Sequence, residues 1–518
     1  MKSFSLRKKL LPSVMTAALV TGAAFSGSAS AVHLAEDGIG QVLLGPIYLG
    51  LANSYTTHVA IVNTRDDVAV KAKVVLRSQY TSAEVLDFIC YLTPSDVCRF
   101  DIINVNGQAT FYSDDDSVRG NDPLTGSEGT SFASINPIQA QLFDQNLGAG
   151  DNNEIGHIEV IGAYAVNGVI NTPSGNVTIA KGMSKFALAA VFDVARTDLD
   201  ARNGAETVAL TRDANGNLSP TPAGRIRSAD PTWVQLTGQL TLRAPNGDRM
   251  GYRFPALAGE VEDNVPPAGE IVYASTLANV PFDGRVISNP LYDVQGGAGA
   301  AESAVGFNFG GAAYGVRTAT YDNIMELEYA MSTTRIQGTY EDDGFTSPVA
   351  GVNRTQLVIT FPTKYRHLRD VCGTGVTVSS SAPWYPPFEA AGPITYTLTQ
   401  YDNQEHSVAI SGSIFSGGSA PKSKQLPFEV NYFIPDWNAT VRDANGNIRT
   451  GSYNYESGWF DMLISPRVGC PYPGAPILSF AHKYQINSTG IVNSWLVPNA
   501  HKPEWENSRF PAYGTANQ

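Results

Sequence analysis

Val68-Ala-Val-Lys-Ala-Lys-Val-Val-Leu-Arg77 is the stretch that decides the fold class. Positions 68, 70, 72, 74 and 76 are apolar, and Lys71, Lys73 and Arg77 fall between them. Side chains of a strand point alternately to opposite faces, so this period of two predicts a half-buried strand, one face in the core and one in water. The same alternation recurs at 57–62, 158–164, 177–180, 232–242, 356–361, 394–401, 407–414 and 428–433. Asn-Gly pairs at 106–107, 167–168, 203–204, 215–216, 246–247 and 445–446 punctuate these runs, with Asp-Gly at 283–284 and 343–344. Such pairs tolerate the positive φ that tight hairpins require. The expected fold is mainly β: tandem antiparallel β-sandwich domains of immunoglobulin-like or jelly-roll-like form. Helical spacing is confined to 181–194, with Phe186, Ala187, Ala190 and Val191 on one stripe, and 321–331, with Ile324, Leu327 and Met331. One or two short helices are therefore expected.

With 43% hydrophobic and 10% aromatic residues, the 518-residue chain has ample surface to bury, which excludes a disordered protein. A net charge of −13 opposes binding to nucleic acid, which needs Lys and Arg to displace counterions. Lys2, Arg7, Lys8 and Lys9 precede an apolar run over 10–25 and Ala29-Ser30-Ala31. That order reads as a signal peptide at 1–31, ending at an A-x-A cleavage site. Loss of those four basic residues takes the net charge from −13 to −17. No later stretch is apolar for long enough to span a bilayer, so the mature chain is expected outside the inner membrane, at the cell surface or extracellular, with the periplasm as the alternative.

Three regions are expected after the signal: an N-terminal sandwich at 32–200 carrying a long acidic loop at 113–151, a middle β-rich region at 201–345, and a C-terminal sandwich at 346–518. Cys90, Cys98, Cys372 and Cys470 are an even set in an exported chain and read as disulfides. Three pairings exist; Cys90–Cys98 and Cys372–Cys470 are favoured. Residues 84–92 and 97–102 read as two strands folded back about Thr93-Pro94-Ser95-Asp96, which sets positions 90 and 98 opposite each other.

Candidate sites are sparse. Asp114, Asp115, Asp116 and Asp122, and separately Asp198 and Asp200, are candidate calcium ligands, because calcium takes six to eight oxygens and these loops supply carboxylates. Neither run has EF-hand spacing, and a solvated acidic loop is the competing reading. No other cofactor is expected. Gly129-Thr-Ser-Phe-Ala133 is similar to the nucleophile motif of subtilisin-like proteases, but only His33 and His58 precede Ser131 in the chain, neither in the required context. An N-terminal His33 would suit copper, but Ala31 is the better cleavage point. Trp384, Tyr385, Trp437, Trp459, Trp495 and Trp505 crowd the C-terminal third, where they serve either packing or carbohydrate stacking. His157, His367, His406, His482 and His501 show no metal-binding spacing.

The segments 62–77, 82–97 and 355–364 resemble a family of exported, β-rich proteins of Gram-negative bacteria, some of them described as surface or surface-layer proteins. The matching segments cover about a tenth of the chain. The resemblance implies a surface role and offers no catalytic residues to carry over. Asn63-Thr64, followed by charged turn residues, reads as a sandwich edge, and 357–361 as a buried strand stopped by Pro362. The function expected is that of a secreted structural protein, a self-assembling subunit of a surface layer, filament or matrix, rather than an enzyme. A module binding carbohydrate or a surface partner is the alternative, and a secreted hydrolase the second alternative. Self-association or other envelope components are the expected partners.

Overall fold

The computed structural model describes residues 33–80, 84–120, 138–142, 153–172, 175–189, 226–228, 234–258, 271–273, 331–341, 352–364, 375–379, 384–404, 406–410, 424–433, 457–468, 474–487 and 490–501, with Val191 and His367. The described chain is mainly β, as the alternation predicts, in antiparallel sheets paired into two sandwiches. The N-terminal half supplies β1 (Val42–Leu49), β2 (Thr56–Asn63), β3 (Ala69–Ser78), β4 (Glu84–Leu92), β5 (Val97–Val105), β6 (Gln108–Ser113), β7 (Ile155–Val166), β8 (Leu236–Arg243) and β9 (Arg249–Arg253). The C-terminal half supplies β10 (Arg335–Glu341), β11 (Val352–Thr360), β12 (Ile394–Asp402), β13 (Val430–Phe433), β14 (Ser457–Ser465), β15 (Leu478–Asn487) and β16 (Gly490–Pro498).

In the first sheet β1, β7, β3 and β4 lie side by side, flanked by His33–Leu34 with Ala256–Ala258 at one end and Val118–Gly120 at the other. The second runs β9-β8-β2-β5-β6 and ends at Ile138–Gln141. The third runs from Ser407–Ile410 through β12, β14 and β10 to Ala500–His501. The fourth is β13-β11-β15-β16. Buried apolar side chains of both sandwiches join one contiguous cluster, from Leu43 and Val74 to Leu357 and Phe460.

Several expectations are corrected. β3 is buried on both faces rather than one: Lys71, Lys73 and Arg77 are as enclosed as Val70 and Val74. Their charges have partners inside. Arg77 Nε lies 3.5 Å from Glu159 Oε2, and Lys71 Nζ lies 5.5 Å from the centre of the Tyr91 ring. A period of two shows that two faces differ in polarity; it does not show that the polar one meets water. Asn63 likewise ends a central strand and not an edge, since β2 lies between β8 and β5. Its buried amide donates to Val68 O at 2.7 Å and Thr93 O at 3.1 Å, tying together two chain reversals.

Residues 84–102 do not form a two-stranded ladder. β4 pairs with β3, whereas β5 pairs with β2, so the turn at 93–96 carries the chain from one sheet to the other. Ser95 adopts φ 58° there, and Asp96 Oδ2 accepts from Thr93 N at 2.9 Å and Thr93 Oγ1 at 3.1 Å. The Cys90–Cys98 disulfide forms as expected, fully buried, and bridges the two sheets through the core. Asn106-Gly107 is a true hairpin tip between β5 and β6, with φ of 54° and 86° as a type I′ turn demands.

The sheets also divide the chain differently from the breaks placed near 200 and 345. β8 pairs with β2, and Ala256–Ala258 with β1, so residues assigned to a middle region complete the N-terminal sandwich. β10 pairs with β14 and belongs to the C-terminal one. Long-range pairing of this kind leaves no local trace in the sequence. Within 113–151, Val118–Gly120 and Ile138–Gln141 add strands to β4 and β6. Lys185–Ala189 is helical, as is Val191; Val191 of the expected stripe is buried, but Phe186 is 66% exposed and Leu188 is buried in its place. The expected helix at 321–331 lies outside the described residues except for Met331.

Candidate functional site

The two sandwiches meet along a polar seam. Gln79, at the end of β3, donates through Nε2 to Val430 O at 2.9 Å and accepts at its carbonyl from Glu429 N at 3.0 Å. One backbone bond and one side-chain bond thus tie the two segments across the joint. His157 Nε2 of β7 meets Glu429 Oε1, and neither side chain is exposed at all. Tyr55 packs edge-on against His482 at 4.8 Å, and its hydroxyl lies 3.0 Å from Ser494 Oγ. Burial in this seam lowers the His482 pKa to about 3, so the ring is neutral, and its Nδ1 lies 2.7 Å from the Tyr432 hydroxyl. Lys364 Nζ donates to Pro427 O at 2.5 Å and lies 4.8 Å from the Trp384 ring centre and 5.3 Å from that of Phe388. Desolvation pulls its pKa down to about 7, against a smaller opposing pull from Glu429. Tyr55, Gln79, His157, Lys364, Glu429, Tyr432 and His482 are all buried. Buried, hydrogen-bonded charges in such a place fix how two bodies dock.

Beside the seam, a groove of about 360 Å³ is lined by Asp248, Arg249, Asn353, Gln485, Ser494 and Trp495. Among the described residues its lining holds one carboxylate, that of Asp248.

A different surface lies on the third sheet. Register sets Arg335, Gln337 and Thr339 of β10 beside Leu463, Asp461 and Trp459 of β14, and these beside Thr397, Thr399 and Tyr401 of β12. All nine face away from the core, because the alternate residues Ile336, Tyr340, Phe460, Met462 and Leu398 are buried. Tyr401 and Trp459 are stacked, with ring centres 3.9 Å apart and planes 5° from parallel. Arg335 grips Asp461 with two bonds, Nε to Oδ1 at 2.6 Å and Nη2 to Oδ2 at 2.5 Å, and Gln337 Nε2 donates to Oδ1 at 3.2 Å. The same fork holds the Arg335 pKa above its ordinary value.

The residues singled out by sequence are dispersed. Asp115 is turned inward: its carboxylate accepts from Ser117 N at 2.9 Å and Arg99 N at 3.1 Å, organising the turn after β6. Asp114 and Asp116 are exposed, and burial with the neighbouring Asp115 charge raises the Asp116 pKa. Asp122, Asp198, Asp200 and Ser131 lie outside the described residues, as do Cys372, Cys470, Trp437 and Trp505. Among the described residues no group of three His, Cys, Asp or Glu could hold a metal ion. His33 pairs through its backbone with Ala258. His58 Nδ1 lies 2.6 Å from Asp101 Oδ1 across β2 and β5, and His406 Nδ1 lies 2.7 Å from Asp402 Oδ2. His367 Nδ1 lies 2.9 Å from Pro386 O, and His501 sits in the last strand of the third sheet. Of the tryptophans, Trp384 is half-buried beneath Lys364, Trp459 joins the outer face of the third sheet and Trp495 is 38% exposed. Sequence reading missed His157–Glu429 and Arg335–Asp461, whose partners lie 272 and 126 residues apart. The alternation of 394–401 was the signal for the outer face.

No protein-family model matches the chain, and no curated protein matches it. Among solved structures, a Streptomyces avermitilis alpha-L-rhamnosidase complexed with L-rhamnose aligns at 8% identity and a TM-score of 0.13. The alignment covers 92% of this chain and 30% of that enzyme. A score of that size carries no argument about fold or activity. No helix among the described residues is long and apolar enough to cross a membrane.

Proposed function

We propose that the protein is an exported structural component of the cell surface that assembles with copies of itself through β16. The observation that carries this reading is the edge of the fourth sheet. Among the described residues β16 pairs with β15 alone, runs for nine residues and contains no charged side chain. Long uncharged edges invite another strand, which is why most folds shorten or charge them; among the described residues β9 packs beside this one without pairing with it. The other edges here follow that rule. Val118–Gly120, Ile138–Gln141, Ser407–Ile410 and β13 have four residues or fewer, and β9 carries Arg249 and Arg253. The seam supports the same role, since two sandwiches that dock through buried polar contacts form a stiff building block. The export signal, the disulfide and the family resemblance agree with a location outside the cytoplasm.

Sedimentation of the mature protein over a range of concentrations tests the proposal. Wild type is expected to form larger species as concentration rises, with slowed amide exchange over 490–498. Trp495→Lys, which places a charge on the edge, is expected to stay monomeric with an unchanged melting temperature. A wild type that remains monomeric throughout, together with labelled protein confined to the periplasm, would end the proposal.

A further inference from the structure

We infer that β16 of one copy is paired by the hairpin of Val169–Thr172 and Gly175–Thr178 from another, so that copies join head to tail. This rests on the reading of β16 as the assembly edge and names what occupies it. The hairpin leaves the end of β7 as an arm. Its two strands pair with each other and, among the described residues, with no further strand. Val169 is 48% exposed, and Gly175, Asn176 and Thr178 are exposed as well. A two-stranded hairpin by itself is marginal in water, and added strands are what stabilise it. The backbones of arm and edge match. Ile179 N donates to Gly168 O at 2.8 Å, so by the alternation of an antiparallel ladder Ile170 and Thr172 bond inward to Val177 and Gly175. Val169 and Asn171 on one side of the arm, and Asn176 and Thr178 on the other, therefore turn their N–H and C=O outward. Asn499 N donates to Ser479 O of β15 at 3.4 Å, so the same alternation turns those of Ser494 and Leu496 outward from β16. Two residues thus meet two, and Pro498, with no N–H, ends the run.

The arm's place in the molecule makes the contact intermolecular. Leu49 pairs with Ile155, and Leu51 N donates to Tyr55 O, so Tyr55 and the Ser494 bonded to it lie at the Ile155 end of β7. The arm follows the opposite end, at Val166. A strand from 155 to 166 covers about 35 Å, and an arm of four-residue strands reaches only about 13 Å, so it cannot span the gap to its own β16. Arm and edge are different patches, and a contact between different patches repeats from copy to copy, whereas two β16 edges meeting would close a dimer. Charge agrees with this pairing. Copies of a chain carrying −13 repel one another, and the contact adds nothing to that repulsion, because neither 166–180 nor β16 has a charged residue.

Sedimentation of the full mature protein as wild type, as Trp495→Lys, and as Val169→Lys combined with Asn176→Lys tests the inference. The double variant charges both strands of the arm at exposed positions and should keep the wild-type melting temperature. It is expected to stay monomeric at every concentration where wild type assembles. An equimolar mixture of the arm variant with Trp495→Lys is expected to form a species of two chains and nothing larger, because one intact arm then meets one intact edge. Amide exchange over 169–178 of the Trp495→Lys chain should slow in that mixture and not in either variant alone. The inference fails, with the β16 reading left standing, if the arm variant assembles like wild type, since edges then pair with each other. It fails equally if the mixture stays monomeric, grows past two chains or leaves exchange at the arm unchanged. A monomeric wild type, or a Trp495→Lys protein that assembles, removes the β16 reading and this inference with it.

Discussion

Lys364 shows most directly how an individual residue's chemistry follows from its surroundings. Its ammonium is buried against Trp384 and Phe388, with Pro427 O as the acceptor, and its pKa falls to about 7 from 10.5. Between those values the unfolded chain binds a proton that the folded chain does not. Stability therefore rises with pH across that interval, and is lost as pH falls through it toward 7. Lys364→Met removes the titrating group. Its stability relative to wild type should be most favourable near pH 7 and should decline steadily toward pH 10. Urea midpoints for both proteins at each pH check this, and a difference that stays flat with pH contradicts it. A lysine just past a strand end, followed by Tyr365 and Arg366, gives no hint in the sequence of such burial. Its enclosure is decided by residues around 384–388 and 427.

At the scale of elements, the chain reversal at 93–96 is the instructive case. Its alternation, its Pro94 and its two cysteines made the bridge predictable. Two strands of one sheet and two strands of facing sheets share that same pattern, because each presents alternate residues to the core. The choice is made by partners: β3 for β4, and β2 for β5. The disulfide then clamps the reversal from within. Closing a loop this short stabilises by about 2.5 kcal/mol on the chain-entropy estimate. Cys90→Ala with Cys98→Ala should lower stability by about that amount, and reductant should destabilise wild type to the level of the double variant without further affecting the variant. Guanidinium titrations with and without reductant measure both. Equal stability of wild type and double variant would mean that the bridge contributes nothing.

For the whole molecule, the seam determines whether two sandwiches act as one. His157 and Glu429 meet there with no exposure, next to the hydrogen bonds that join the Gln79 carbonyl and side-chain amide to residues 429 and 430. Removing one partner of a buried pair typically costs about 3–5 kcal/mol, because the other is left uncompensated. Glu429→Ala should therefore lower the melting temperature sharply, and combining it with His157→Leu should recover much of the loss. Calorimetry should give a single transition for wild type. Full stability in Glu429→Ala would show that the sandwiches are joined by other contacts.

The class of structure is legible along the chain alone. Alternation set the strands, Asn106-Gly107 set a hairpin, and the spacing of Cys90 and Cys98 set a disulfide, since each depends only on neighbours along the chain. The run 490–498 carries no charge, but neither its strand nor its position at a sheet edge was read from the sequence. Which strands share a sheet, the enclosure of the β3 lysines, and the gathering of Arg335, Asp461, Trp459 and Tyr401 on one face emerge only from the folded chain. These outcomes rest on contacts between residues tens to hundreds of positions apart. Local periodicity is blind to such contacts, because it records which side of a strand a residue occupies and not what lies across from it.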